Sequence, residues 1–275
     1  MVNAFLLLSP IGMIIVGLAA IFFWKFRKGV SWKYFGYGAL LWTLAIIPKI
    51  IMDITVSPYL YAGLLGYGTA ALLIGLGIYL GLRTGLFESG FTFLAARKVG
   101  ELKRIKLNDA IAFGIGFGAF EAIFLGITSF LSLSLFIFNP SVASLLTEAQ
   151  LASLDSPTII VGAAILERVF AISIHVFASL LVFYSLAKRK VLYLAYSIIF
   201  KTLVDGIIPG LTYYIDTSTV TGIYLIELPF LALAVIGFAG TLWLMKRYPA
   251  GHPEAHKDSK DSGSRRKARA SRKKK

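Results

Sequence analysis

Seven ionisable side chains lie inside stretches of the sequence that are otherwise apolar. They are Glu88, Glu121, Glu167, Arg168, His175, Lys201 and Asp205. A charged group at the centre of a bilayer costs roughly 2.5 to 3.5 kcal/mol on insertion scales, so such residues normally face a protein interior or a water-filled cavity. A carboxylate and a histidine that converge on a buried water form a general base and its partner, the minimum set for hydrolysing an amide. We therefore expect a polar site inside an apolar protein.

The composition indicates the class of protein that holds this site. Hydrophobic residues make up 57% of the 275 residues and charged residues only 15%, and the mean hydropathy is +0.77. The apolar runs exceed the roughly 18 residues that mark a spanning helix, and they are unbroken, whereas a membrane barrel shows alternating segments. We predict an all-α fold, a polytopic bundle of transmembrane helices. Cysteine is absent, which excludes thiolate metal sites and cysteine nucleophiles.

About seven spans are predicted from the apolar runs. They lie near 4–25, 34–53, 60–97, 109–138, 158–187, 191–209 and 221–245. A straight helix over 60–97 would be about 57 Å long, nearly twice the ~30 Å hydrocarbon core, so this region must be broken. Either 60–82 spans the membrane and 83–97 is interfacial, or 60–70 is interfacial and about 72–97 spans. The second division places Glu88 inside the membrane.

The basic residues predict the orientation of these spans. Lys and Arg cluster at 25–33, 97–106 and 188–190 and again from Lys246 onward, whereas the loops on the opposite side contain neither. By the positive-inside rule the N-terminus lies outside and the C-terminus in the cytoplasm of a multi-pass protein of the cell membrane.

Two regions are expected, a membrane-embedded helical domain over 1–248 and a disordered polybasic cytoplasmic tail over 249–275. The tail carries enough positive charge to hold anionic lipid head groups. We do not expect a nucleic-acid partner.

Spacing along the helices predicts which polar groups share a face. Arg168 and His175 are seven residues apart, so they lie on nearly the same side of the fifth span. Glu167 points roughly 100° away from Arg168, so the two cannot both aim at one partner from a straight helix. Glu121 is the most isolated carboxylate and would be neutral in a low dielectric unless Arg168, Lys201 or a protonated His175 lies close.

Two pairs have the spacing of ion pairs within one helix. Lys201 and Asp205 are four residues apart, and a simple internal ion pair is one interpretation of them. Lys49 and Asp53 have the same spacing close to the outer interface, where a lysine can extend to water. We interpret this second pair as structural.

Four segments together resemble the YhfC-type intramembrane peptidases, distant relatives of the type II CAAX prenyl proteases and the PrsW peptidases. The segments are GLFES (85–89), GFGAFEAIFLG (116–126), LERVFAISIH (166–175) with Ser179, and KTLVD (201–205). The resemblance covers roughly residues 70–210. In that family the equivalent of GLFES lies on a spanning helix, which favours the division that places Glu88 in the membrane.

The resemblance implies hydrolysis of a hydrophobic or membrane-embedded peptide. It would make Glu88 or Glu121 the base that activates water and His175 its partner. The segment with Lys201 and Asp205 would stabilise an oxyanion or hold a ligand. A zinc ion would need His175 together with carboxylates such as Glu121 and Asp205, so the cofactor is left open between zinc and none.

The chain departs from the family pattern at four positions. Ser89 replaces a second glutamate, Thr92 an arginine, and Phe117 and Lys201 histidines. Lysine is a poor metal ligand unless it is deprotonated. The chain is therefore either an active peptidase or an inactive relative that retains the site to grip a substrate helix.

Two other functional classes stay open. A proton-coupled transporter also uses intramembrane Glu, Asp and His, although we see no internal repeat of the kind that transporters carry. A non-catalytic membrane scaffold would use the charges only to join helices, and it would have paired charges and no water-accessible cavity. Whether Glu121 and His175 meet beside such a cavity separates these readings.

Overall fold

The computed structural model describes residues 3–143 and 145–249. Within these residues there is no strand, and seven helices are long and apolar enough to cross a membrane. In chain order they are α1 (Ala4–Lys28), α2 (Trp32–Thr55), α3 (Thr69–Lys98), α4 (Leu107–Phe138), α5 (Thr158–Lys188), α6 (Leu192–Tyr214) and α7 (Val220–Met245). The all-α bundle with seven spans is confirmed. The predicted tail lies outside the described residues apart from Pro249, and the sidedness of the termini stays a prediction.

The long apolar region before residue 98 is broken where the second division predicted. A short helix, Ser57–Leu65, is separated from α3 by Gly68, whose φ of 89° lies in the left-handed region that glycine adopts readily. Helix α3 then runs from Thr69 to Lys98 and contains Glu88. Its segment Gly85–Ser89 forms a turn of π-helix, a local widening that is frequent at functional sites.

Helices α4 and α5 form the centre of the bundle. In their most apolar 18-residue stretches 67% of the residues are buried, against 17–33% in the other five spans. Helix α4 packs against α1, α2 and α5, and α5 packs against α6 and α7 as well. The small residues of the run GIGFGA in α4 let its neighbours approach closely. The buried polar side chains of these two helices, among them Arg168 and His175, therefore face protein rather than lipid.

Helix α3 is held against α6 by a close backbone contact. A Cβ added at Gly81 would lie 2.3 Å from the carbonyl oxygen of Thr202, so only glycine fits there. This contact brings Glu88 of α3 to the level of Lys201 of α6. Helix α6 continues to Tyr214, beyond its predicted end at 209, because Pro209 lies in the first turn of its second segment, where a missing N–H removes no helical bond.

Candidate functional site

Five helices contribute charged or polar side chains to one cluster in the middle of the bundle. Helix α2 supplies Trp42 and Lys49, α3 supplies Glu88, α4 supplies Glu121, α5 supplies Arg168 and His175, and α6 supplies Lys201. Glu121 and His175 are in direct contact, with 3.0 Å between Glu121 Oε2 and His175 Nε2. The sequence alone did not determine whether these two side chains meet. The structure thus brings polar side chains from five helices together, as the spacing of the ionisable residues predicted, and their role stays a prediction.

Glu121 is held by three neighbours. Trp42 donates its indole N–H to Oε2 at 2.8 Å, His175 Nε2 contacts the same oxygen, and Arg168 donates to Oε1 at 2.9 Å. Arg168 also bonds the carboxylate of Glu167, its neighbour in sequence. Glu121, the most isolated carboxylate in the sequence, therefore has the Arg168 cation beside it, and Arg168 has Glu167 as a second anionic partner.

Glu88 lies between two ammonium groups. Its Oε1 is 2.7 Å from Lys49 Nζ and its Oε2 is 2.6 Å from Lys201 Nζ. The side chain of Glu88 is 4% exposed and those of Lys49 and Lys201 are 10% and 5% exposed, so this is a buried ionic group. A charge buried in this way is tolerated only when it is paired.

Both predicted pairs within one helix are wrong. Lys49 binds Glu88 and does not extend to the interface, while Asp53 pairs with Arg83 of α3. Lys201 likewise pairs with Glu88, and Asp205 accepts a hydrogen bond from the hydroxyl of Thr84. The spacing rule fails because both lysines are buried, and a buried charge is tolerated only when it is paired. The carboxylate that is buried beside them is Glu88, which lies across a helix interface from each lysine.

His175 is fixed on both ring nitrogens. Lys201 Nζ lies 2.9 Å from Nδ1, and Nε2 faces Glu121. One proton arrangement satisfies both contacts, with Nε2–H donating to Glu121 and Nδ1 accepting from the ammonium group. The ring packs on Phe117 at 4.8 Å between centroids, and Lys201 Nζ lies 5.8 Å from the centre of the same phenyl ring, in cation–π range.

A cavity of about 200 Å³ opens beside this cluster. Its wall contains seven charged or titratable residues, with apolar side chains between them. They are Lys49, Glu88, Glu121, Glu167, Arg168, His175 and Asp205. A polar cavity of this size has room for several waters. Lys201 is not part of this wall, because it lies behind Glu88 and His175.

The four positions at which the resemblance predicts departures from the family pattern lie together on the side of His175 away from the cavity. Ser89, Thr92, Phe117 and Lys201 line a void of only about 10 Å³ with Glu88 and His175. The Ser89 hydroxyl is 2.8 Å from that of Ser197, and Thr92 donates to the backbone carbonyl of Glu88. All four are buried and packed.

Sequence reasoning missed two members of the cluster. Trp42 was not singled out, because a tryptophan in an apolar helix is usually a packing residue. Lys49 was assigned to the wrong partner. Trp42 and Lys49 are seven residues apart and so lie on nearly the same face of α2. This spacing is the one feature of the local sequence that indicates that both face the same site.

The donor groups of the cluster do not fit a metal ion. A catalytic zinc takes three protein ligands and a water, and within the described residues no three His, Asp or Glu side chains are grouped so that they could hold a metal. The expected set of Glu121, His175 and Asp205 does not form, since Asp205 binds Thr84 while Glu121 holds Arg168 and Trp42.

Comparison with known proteins identifies the family. The family model described as YhfC intramembrane metalloprotease matches residues 12–229. An uncharacterized membrane protein, YhfC of Bacillus subtilis (strain 168), is 29% identical over 227 residues, which cover 77% of this chain and 82% of that protein. No solved structure matches the chain significantly. The extent of the family match shows that this multi-pass membrane protein belongs to the YhfC intramembrane metalloprotease family.

Proposed function

We propose that this chain hydrolyses peptide bonds within the membrane, with Glu121 as the base that activates water and His175 as its partner. One observation carries the proposal. Glu121 and His175 come from different helices and meet at 3.0 Å on the wall of a cavity that is large enough for water. A base and its partner in hydrogen-bond contact beside a water site are the arrangement that general base catalysis requires.

The surroundings favour Glu121 over Glu88 as the base. Each oxygen of Glu88 faces an ammonium group, and its side chain is 4% exposed. The side chain of Glu121 is 18% exposed, and its Oε1 has Arg168 as its hydrogen-bond donor. A water can replace Arg168 as the donor to Oε1 of Glu121. The guanidinium group of Arg168 then still has an anionic partner, because it also binds Glu167.

In the proposed reaction the water oxygen attacks the carbonyl carbon of the peptide bond while Glu121 accepts one proton from that water. The new C–O bond forms, the C–N bond breaks, and the proton held by Glu121 passes to the leaving nitrogen. Negative charge that develops on the carbonyl oxygen is stabilised by cations aimed at it. Lys49 and Arg168 lie on the cavity wall and are the residues to which we assign this role, in place of Lys201 behind the wall.

We infer the substrate class from the family. Membership of an intramembrane protease family supports a hydrophobic or membrane-embedded peptide as substrate. Binding of anionic lipid head groups by the basic segment from 249 onward remains a prediction from composition, because that segment lies outside the described residues apart from its first position.

A second candidate is a non-catalytic relative that grips a substrate helix without cutting it. It is favoured by the pairing of every cation of the cluster with a carboxylate, Lys49 and Lys201 with Glu88, and Arg168 with Glu121. The presence of a cavity that can hold water favours the peptidase over this alternative.

The experiment is a cleavage assay on purified protein in proteoliposomes with a library of fluorogenic hydrophobic peptides. His175→Ala is expected to lower the initial rate by about 10²-fold or more, because the partner of the base is lost. Glu101→Gln is the matched control, since Glu101 pairs with Lys33 on the exposed surface and both are roughly half exposed. An unchanged rate in His175→Ala would reject the assigned role, and binding without cleavage by the wild type would favour the second candidate.

A further inference from the structure

The ammonium group of Lys201 occupies the space between two side chains of the kinds that bind metals. Its Nζ lies 2.6 Å from Glu88 Oε2 and 2.9 Å from His175 Nδ1, and the residue is 4% exposed. A divalent ion held by this carboxylate and this imidazole would sit about 2.0 to 2.2 Å from each of them. That position overlaps the position of the ammonium group.

The surroundings of Lys201 leave no other place for an ion on this side of His175. The void there measures about 10 Å³, the lower limit for a single water. The phenyl ring of Phe117 packs on the imidazole and under the ammonium group. The neighbouring hydroxyls of Ser89 and Thr92 are bonded to Ser197 and to the backbone. A third metal ligand is therefore missing.

The opposite nitrogen of His175 offers no better site. Nε2 faces Glu121, whose two oxygens already accept hydrogen bonds from Trp42 and Arg168. A divalent cation placed there would lie beside the guanidinium group and would have two protein ligands rather than the three of a catalytic zinc site. Repulsion between like charges in a low dielectric disfavours such binding.

We propose that Lys201 takes the place of a metal ion in this chain, so that its ammonium group holds Glu88 and His175 in position and no resident metal is required. The inference deepens the proposed function because it concerns the same site, and it departs from what the family description implies. Its test measures metal content and does not depend on catalysis.

The test compares zinc bound per chain after incubation with zinc and exhaustive dialysis, measured by elemental analysis. The wild type is expected to hold well under one equivalent. Lys201→His replaces the ammonium group with a third ligand beside Glu88 and His175 and is expected to hold about one. Cobalt substitution of that variant should give the visible absorption of a site with nitrogen and oxygen ligands.

Two controls make the result specific to this position. Lys201→Met has a side chain of similar length without charge or a strong donor and is expected to stay free of zinc. Lys201→His combined with His175→Ala should lose the bound zinc, which separates this site from adventitious binding elsewhere on the chain. Size-exclusion chromatography and thermal unfolding show whether each variant is folded.

Either of two results would overturn the inference. One is a wild type that holds a full equivalent of zinc that His175→Ala removes, a measurement that stands even if Lys201→His fails to fold. The other is a folded Lys201→His variant that stays free of zinc. A metal-free wild type that cleaves no peptide would refute the proposed function and leave this inference intact, while cleavage that survives a chelator would support both.

Discussion

Glu88→Gln is expected to lower the thermal stability of the protein strongly, because it leaves two buried ammonium groups without an anion. Lys49 and Lys201 each lie within 2.7 Å of the Glu88 carboxylate. Removing one partner of a buried ion pair costs about 3 to 5 kcal/mol, which corresponds to a shift in Tm of roughly 10 °C for a domain of this size. Thermal unfolding in detergent measures the change.

Two further variants give this prediction its controls. Glu101→Gln removes the carboxylate of an exposed ion pair and is expected to change the free energy of unfolding by about 1 kcal/mol or less. Adding Lys49→Met to Glu88→Gln removes one of the surplus cations and should recover part of the lost stability. If Glu88→Gln and Glu101→Gln unfolded at the same temperature, the buried cluster would not contribute as described.

Glu121→Gln is expected to lower the rate of peptide cleavage by about 10²- to 10⁴-fold, the range that a positioned general base contributes. Glutamine can still accept the hydrogen bond from Trp42, but it cannot take a proton from water. The fold should survive, because Arg168 keeps Glu167 as its anionic partner. Initial rates and Tm, measured on the same preparation, separate the two effects.

We thus expect opposite effects on stability and cleavage rate from the two glutamate substitutions. The Glu88 variant should lose stability first, whereas the Glu121 variant should lose rate with a modest change in Tm. A Glu121→Gln protein that cleaves peptide at the wild-type rate would show that another group is the base. Glu88 would then be the next residue to test, with the cleavage rate and the Tm of Glu88→Gln measured on the same preparation.

The sequence predicted the spans well because their physical cause is local. Each apolar run of sufficient length is a helix in the structure, and the break before Thr69 follows from a length that no single span can accommodate. The location of Glu88 inside the membrane needed the family resemblance as well. Hydropathy alone allowed either division of 60–97, since a span of about 20 residues can be placed at either end of that apolar run.

The partners of the charges could not be predicted from spacing. The i, i+4 rule pairs Lys49 with Asp53 and Lys201 with Asp205, because it considers one helix in water. In the bundle both lysines bind Glu88 of a third helix. That choice depends on how closely α3 approaches α2 and α6, which is set by backbone contacts such as the one at Gly81. The four-residue spacing of Gly77, Gly81 and Gly85 indicates a close helix contact, but it does not say which helix makes that contact.

The most direct test of the central claim, a water-accessible polar cavity inside the membrane, uses the absence of cysteine from the chain. Ala171 lines the cavity, whereas Ile199 is 56% exposed on the outer surface of a helix that is long and apolar enough to span the membrane, so we expect its neighbour to be lipid. In membranes, Ala171→Cys is expected to react with a water-soluble methanethiosulfonate reagent and Ile199→Cys to stay unreacted, because the reactive thiolate forms only where water reaches it. Equal resistance of both cysteines to the reagent would contradict the account.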